Sequence, residues 1–256
     1  MNFNKDKYLQ HIEEDKKLIM SQLLDKILLV EKNFTIETTD FLDPYEVYLA
    51  TSILNRFSEV SYKIYGGYDN CERSVIAIYP DYIYDIDNKV TIFKTRLKYT
   101  EIKHKDILGS IMSLGIDRKK IGDIIINDTF CYFIIKNEVA DYVEFNLNKI
   151  GRNNIKLTKV DEISYIKENF ILKEYIISSL RLDSFLSSIL GISRTKTASL
   201  IESDKVKVNF KIINKLAFQL KEKDIISVRK YGRFIFNEIK GKTKKDNYIV
   251  KIKIPN

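Results

Sequence analysis

At 256 residues the chain holds material for two or three modules of ordinary size, and 45% apolar with 30% charged side chains suits globular cores rather than disorder. No apolar run approaches the ~18–20 residues that span a bilayer, and the opening MNFNKDKYLQ is not a signal peptide, so the expectation is a cytoplasmic protein with no membrane partner. The net charge of +8 is unevenly placed: residues 177–256 carry 18 Lys or Arg against 7 Asp or Glu, whereas residues 1–176 carry 25 against 28. A bias of composition would act on the whole chain, so the asymmetry points to a polyanionic partner for the last third, nucleic acid first.

In chain order, Leu9, Ile12, Leu18, Ile19, Leu23, Leu24, Ile27 and Leu28 recur at helical spacing. A second helix is predicted from Asp43-Pro44 through Tyr48, Leu49, Ile53 and Leu54. Residues 1–64 thus read as a mostly helical N-terminal unit. YGGYDNCERS (65–74) is a glycine-containing turn before the strand-like VIAIYP (75–80). Within a middle unit over 65–165, VTIFKTRLK (90–98), IGDIIIN (121–127), FCYFIIK (130–136) and NIKLTKV (154–160) read as strands. Helices are predicted over 103–115 and 137–151, with a turn at Asp128-Thr129 and Gly115 and Gly151 as helix stops. The order is β-α-β-β-α-β, the RRM-like or ferredoxin-like arrangement of two helices on one face of a four-stranded sheet. From about 176 to 256, two short helices, the second capped by Ser193, precede strand-like KVKVNF, KIIN, DIISVRKYGRFIFNEI and NYIVKIKI, with GKTKKD as a basic loop. The whole is α+β.

Residues 181–209, RLDSFLSSILGISRTKTASLIESDKVKVN, with KEKDIISVRKYGRF beyond, resemble the RNA-binding domain first recognised in ribosomal small-subunit protein four, the S-four domain. Matching positions are Arg181-Leu182-Asp183, Ser193-Arg194, Ala198, Ile201, Val206, Val208, Asn209, Asp224, Ile225, Ser227, Val228 and Gly232-Arg233. The resemblance implies RNA binding by a two-helix, sheet-backed module. The residues support the same chemistry independently. A helix N-terminus at Ser193 favours a phosphate, and Arg194 and Lys196 in its first turn are useful only if an anion meets them. Arg181, Lys205, Lys207 and Asn209 extend the expected RNA surface, with Arg229, Lys230 and Arg233 as its far rim; the alternative for Arg181 is an internal ion pair with Asp183. Two departures stand out. Asp204 replaces the usual Gly before the hairpin, and Phe210 follows Asn209 where Gly is usual, which predicts a turn longer than two residues.

No catalytic constellation emerges. His11 and His104 are the only histidines, and Cys71 and Cys131 sit far apart in no metal spacing, reading as free thiols. No metal or cofactor is expected. The order of domains and the absence of the required motifs set this chain apart from pseudouridine synthases, tyrosyl-tRNA synthetases and methyltransferases. ERSVIAIYPDYI (72–83), Gly66-Gly67-Tyr68 and IKHKDILGSIMSLGIDRKKIGDIII (102–126), with the terminal domain, are similar to the YlmH family. That resemblance implies a non-catalytic factor for large ribosomal subunits obstructed by peptidyl-tRNA. It would contact ribosomal RNA and the tRNA and steady the latter for a tailing factor in ribosome-associated quality control. An interaction scaffold tied to cell division, or an accessory to an RNA-modifying enzyme, is the alternative. Phe130 and Tyr132 alternate on one face of a middle strand and read as core packing or as contact with the N-terminal helices rather than as base-stacking aromatics. Gly109-Ser110 reads either as a close helix-packing site or as a ribosome contact.

Overall fold

The computed structural model describes residues 4–98, 102–127, 130–163 and 170–255, and the chain divides into units Met1–Lys167 and Glu168–Asn256. In the first, a single turn α1 (Asp6–Leu9) leads into α2 (Glu14–Asn33), whose Met20, Leu23, Leu24, Ile27 and Val30 are all buried, as their spacing dictates. β1 (Glu37–Thr38) follows. α3 (Pro44–Leu54) starts at a capping box: Asp43 accepts from the Glu46 N–H, the Glu46 carboxylate accepts from the Asp43 N–H, and Pro44 needs no donor there. β2 (Val60–Tyr65) and β3 (Val75–Pro80) complete an antiparallel sheet in the order β1-β3-β2.

The helices α1, α2 and α3 account for most of residues 1–64, but the expected boundary after residue 64 falls inside β2, which pairs with β3 from Val60↔Pro80 to Tyr65↔Val75. Ser61, Tyr62 and Lys63 mask the strand pattern in the sequence, while β3 is apolar on both faces because both are covered. Ile76 and Ile78 meet α2 and α3; Val75 meets the next sheet.

That next sheet comes from β4 (Val90–Arg96), α4 (His104–Met112), β5 (Ile121–Asn127), β6 (Phe130–Lys136), α5 (Asn137–Asn146), a small hairpin of β7 (Lys149–Ile150) and β8 (Asn153–Asn154), and β9 (Thr158–Val160). Its strand order is β5-β6-β4-β9, with every pairing antiparallel. The Asp128-Thr129 turn lies outside the described residues. α5 stops at Asn146, five residues short of Gly151. Asn146 and Asn148 turn their side-chain amides onto nearby carbonyls, which competes with the helix. Gly151 (φ 55°) serves instead in the β7–β8 turn.

Phe93, Cys131, Phe133 and Ile135 face α4 and α5, meeting Ile107, Ile111, Ala140 and Val143. On the other face Val90, Ile92, Tyr132 and Ile134 pack with Phe41 and Val75. Tyr132 is core as expected; Phe130, at the strand's start, is 37% exposed. Gly109 meets open space rather than a neighbouring element, because it lies across α4 from Ile107 and Ile111. The close-packing reading of that glycine is thereby corrected.

Four charges fasten the loop before α3 to this sheet. Asp40 accepts from Lys120 at 2.5 Å and Lys136 at 3.5 Å, and Glu138 lies 2.5 Å and 3.1 Å from the same two ammonium groups. Burial alone would push both carboxyls up, but the lysines outweigh it and hold them below the usual carboxylate range.

The second unit begins with an unanticipated strand, β10 (Phe170–Ile177), paired along its whole length with β15 (Tyr248–Pro255). The expected start at 176 is too late; Lys173-Glu174 in the strand's middle conceals it. Between them lie α6 (Leu182–Leu190), α7 (Arg194–Glu202), β11 (Val206–Val208), β12 (Lys211–Ile212), β13 (Ile225–Val228) and β14 (Gly232–Lys242). The sheet order is β10-β15-β14-β13-β11-β12. Leu182, Phe185, Leu186 and Ile189 of α6 and Ile201 of α7 share one core with Val206, Val208, Ile226, Val228, Phe234, Phe236, Val250 and Ile252.

Asp40→Ala should cost about 1.5–3 kcal/mol in urea unfolding, the range for hydrogen bonds to charged groups. Because the folded pKa values of Asp40 and Glu138 are depressed, their stabilisation is present above the unfolded carboxylate pKa and is lost as pH falls through the folded one. The wild-type urea midpoint should therefore drop below about pH 4, and Asp40→Asn with Glu138→Gln should flatten that fall.

Candidate nucleic-acid interface

The two helices of the second unit are set by local hydrogen bonds. α6 opens with the Leu182 and Asp183 N–H groups donating to the carbonyls of Phe218 (2.8 Å) and Leu216 (3.2 Å). Gly191, left-handed at φ 62°, closes it, and Ser187 Oγ donates to the Ile192 carbonyl at 2.7 Å. Ser193 then caps α7, its Oγ accepting from the Lys196 N–H at 3.3 Å, and Thr197 Oγ1 donates back to the Ser193 carbonyl at 3.1 Å. Arg194 and Lys196 stand exposed in that first turn, which carries no acidic residue. The positive end of the helix dipole thus bears two further positive charges, an arrangement stabilised when an anion occupies it.

The remaining expected cations belong to the sheet. Side chains alternate, so with Val206, Val208, Ile226, Val228 and Phe234 turned to the helices, Lys207, Ser227 and Arg233 form a row on the opposite face. The Arg229 N–H donates to the Lys205 carbonyl at 2.9 Å, which continues this cationic face one step further. Lys230 sits exposed at φ 73° in the turn between β13 and β14. The expected cations therefore fall into two groups rather than one patch. The Lys205 N–H donates to the Leu200 carbonyl at 3.1 Å, so α7 ends where β11 begins. Its nine residues span about 14 Å between the two groups. Among the described residues, Arg194, Lys196, Lys205, Lys207, Arg229 and Lys230 have no ion-pair partner.

Two expected contacts are committed internally. Arg181 forks onto Asp183, Nε to Oδ1 at 3.1 Å and Nη2 to Oδ2 at 2.7 Å, and holds that carboxyl below its usual range. The ion-pair reading of Arg181 is the one realised. Asn209 donates from Nδ2 to Asp224 Oδ1 at 2.8 Å and accepts from the Ile225 N–H at 2.9 Å, tying the hairpin tip to the start of β13.

The hairpin turn is not longer than two residues. Val208 pairs with Lys211, and Asn209 and Phe210 between them have φ of 48° and 67°, both positive as a type I′ turn requires. Asp204, where glycine is usual, is likewise left-handed at φ 56°. For a residue with a Cβ such as Phe210 this costs roughly 1–2 kcal/mol. The Arg233 guanidinium, 5.4 Å from the Phe210 ring centroid, offsets part of this, between two half-buried side chains.

Sequence reasoning missed Lys251 and Lys253, which the register places on the same open face. Lys253 pairs with Ile235 and lies 4.3 Å from the Phe170 ring centroid, and Lys251 contacts Glu238 at 3.3 Å. The alternation in YIVKIKI was the available signal. In the first unit, the 65–74 and 118–123 segments converge on Asp123, which accepts from Tyr68 Oη (2.7 Å) and from the N–H groups of Glu72 (2.6 Å) and Arg73 (3.1 Å). Burial pushes the Asp123 carboxyl up and the Tyr68 phenol up further. This is an internal lock between the two sheets. Among the described residues no cluster of His, Cys, Asp and Glu is placed to hold a metal ion, and no helix is long and apolar enough to cross a membrane.

A two-helix layer on a sheet, with bare cations at the second helix's N-terminus, defines an RNA-binding module of the S4 class, and the S4 domain model matches residues 180–226. Models described as "YlmH, N-terminal" and "Putative RNA-binding domain in YlmH" match residues 15–83 and 84–164. "Ribosome-associated protein quality control protein P2" of Bacillus subtilis (strain 168) is 31% identical over 247 residues, 94% of this chain and 96% of that one. The chain belongs to the YlmH family. The solved structure of "Cell division protein ylmH from Streptococcus pneumoniae" has a TM-score of 0.52 at 22% identity, over 59% of this chain and 94% of that one, a likeness of fold.

Asn209→Ala removes both hydrogen bonds and leaves an ordinary Cβ residue at positive φ, so it should destabilise the second unit by about 1–3 kcal/mol. Asn209→Gly, which relieves the backbone, should cost less. Urea unfolding of the full chain measures both.

Proposed function

We propose that this protein is a non-catalytic RNA-binding factor of ribosome-associated quality control that binds large ribosomal subunits still carrying peptidyl-tRNA. The S4-class unit grips large-subunit ribosomal RNA or the tRNA and steadies the tRNA while a separate factor extends the nascent chain. The observation that carries this reading is the α7 N-terminus, where Arg194 and Lys196 stand exposed on a helix-dipole end with no carboxylate in that turn. Ser193, Arg194 and Lys196 form one phosphate grip. Lys205, Lys207, Arg229, Lys230 and Arg233 form a second, about a helix length away, and structured RNA can bridge the two because it presents phosphates along a continuous surface. Arg181 and Asn209 support these grips by position rather than by contact. The name of the Bacillus subtilis relative favours the pathway. The β-α-β-β-α-β order and the strand order of the middle region favour an RRM-like or ferredoxin-like domain there. The setting is the cytoplasm, and no cofactor enters the mechanism.

The name of the Streptococcus pneumoniae protein favours a second reading, an interaction scaffold in cell division. Sedimentation of a lysate separates the two. The first expects the protein with large subunits at low salt and its release at high salt; free protein at both salts supports the scaffold. Arg194→Ala with Lys196→Ala should weaken RNA binding and reduce the log–log salt slope by roughly 0.7–0.9 for each phosphate no longer neutralised. An unchanged affinity and slope in the folded double variant would rule out the α7 grip.

A further inference from the structure

We propose that Phe210, at the tip of the β11–β12 hairpin, is a stacking platform for an unpaired RNA base, with Lys207 and Arg233 meeting the phosphates beside that nucleotide. This rests on the RNA-binding reading above and names the ligand chemistry at one part of that surface.

The backbone supplies the first argument. Phe210 occupies φ 67° directly after Asn209 at φ 48°, a turn that glycine fills without strain. An aromatic side chain there is strained, and the ring is half-buried outside the unit's apolar core, so core packing does not offset the strain. Strain kept at a half-buried residue outside the core, in a turn that glycine would fill, points to use of the side chain. Phe34 carries the same backbone conformation at the end of α2. Phe210 differs in its neighbours, because the Arg233 guanidinium lies 5.4 Å from its ring centroid and Lys207 sits in the same row as Arg233, with Ser227 between them.

Rigidity supplies the second. The Asn209 amide is held by Asp224 and by the Ile225 N–H, and the Asn209 N–H donates to the Ile225 carbonyl at 2.8 Å, so the tip is fixed before any ligand arrives. A pre-set aromatic face with cations roughly 10 Å apart, two strand spacings, suits a nucleotide whose base is out of the helical stack. Every base has a π-face, so such stacking tolerates sequence; a continuous duplex hides those faces. The ligand class is therefore a loop, bulge or single-stranded end.

The chain contains no tryptophan, so Phe210→Trp introduces a single reporter. With a stem-loop RNA bearing a loop of unpaired adenines, its emission should be quenched; a blunt duplex of equal charge should leave it unchanged. Phe210→Gly, the residue this backbone accepts most readily, should bind the stem-loop about 5- to 150-fold more weakly, the range for loss of one stacked base. It should keep the wild-type salt slope, because no charge is removed. Wild-type affinity in Phe210→Gly, or unquenched emission from Phe210→Trp at saturating stem-loop, would overturn the stacking proposal while leaving the α7 grip standing. Loss of binding by Arg194→Ala with Lys196→Ala tests that grip separately, and failure of the wild type to bind either RNA at low salt would overturn both.

Discussion

Side-chain alternation across β11, β13 and β14 decides what the second unit shows to its surroundings. Val206, Val208, Ile226, Val228, Phe234 and Phe236 must turn toward α6 and α7 to form a core, and a period of two then forces Lys207, Ser227 and Arg233 to the other side. A one-residue slip in β11 would bury Lys207 and expose two valines. Register in this sheet is therefore specified strongly, and the cationic row is as fixed as the core beneath it. The charges at the start of α7 are fixed separately, by the Ser193 cap. Two independent devices thus hold two cation groups, and α7, joined at its C-terminal end to β11, is the spacer between them.

The first unit obeys a different constraint. Its middle sheet is covered on both faces, by α4 and α5 on one and by Phe41, Val75 and their neighbours on the other. The second face of this sheet, around Tyr132 and Ile134, is accordingly occupied rather than open. Gly122 shows how close the cover lies: a Cβ there would stand 2.7 Å from the Phe41 ring. The polar seams at Asp40 and Asp123 tie the loop before α3 and the loop between β2 and β3 to the middle sheet, and each carboxylate is met by several donors. Sequence blocks such as GGY, ERS and IGD, which look like signatures of a site, are used here to hold two sheets together.

Legibility in the sequence followed from the strength of periodicity. α2, α6 and the strand–helix alternation from Val90 to Val160 were readable because their apolar spacing is clear and long. β2 and β10 were not, because Ser61 and Lys63 in one and Lys173-Glu174 in the other interrupt the pattern at strands whose pairing is settled by distant partners. α5 was overrun because weak helix formers with backbone-bonding side chains, Asn146 and Asn148, look like any polar helix end. In the candidate site, residue types identified the cations, but only the register could divide them between two surfaces. The Arg181–Asp183 fork was visible as an alternative, since a two-residue separation at a helix start permits it, yet spacing alone does not choose between an internal and an external anion.

The chain has nine glycines, and this scarcity bears on how its tight turns are made. Asn70, Asp204, Asn209, Lys223, Lys230 and Asp246 all take positive φ. Asn and Asp do so at modest cost because their short side chains bond locally. Phenylalanine has no such compensation. At Phe34 the strained residue closes a long helix already held by a buried face. At Phe210 the host is a hairpin with strands of three and two residues, where little surrounding structure is available to absorb strain. The turn persists because Asn209 is bonded to Asp224 and Ile225, and β11 is bonded to β13 along its length. The rigidity that tolerates the strain also holds the aromatic ring in position. That coupling makes the hairpin tip a preorganised contact rather than a flexible one, so little ordering entropy opposes its use in binding.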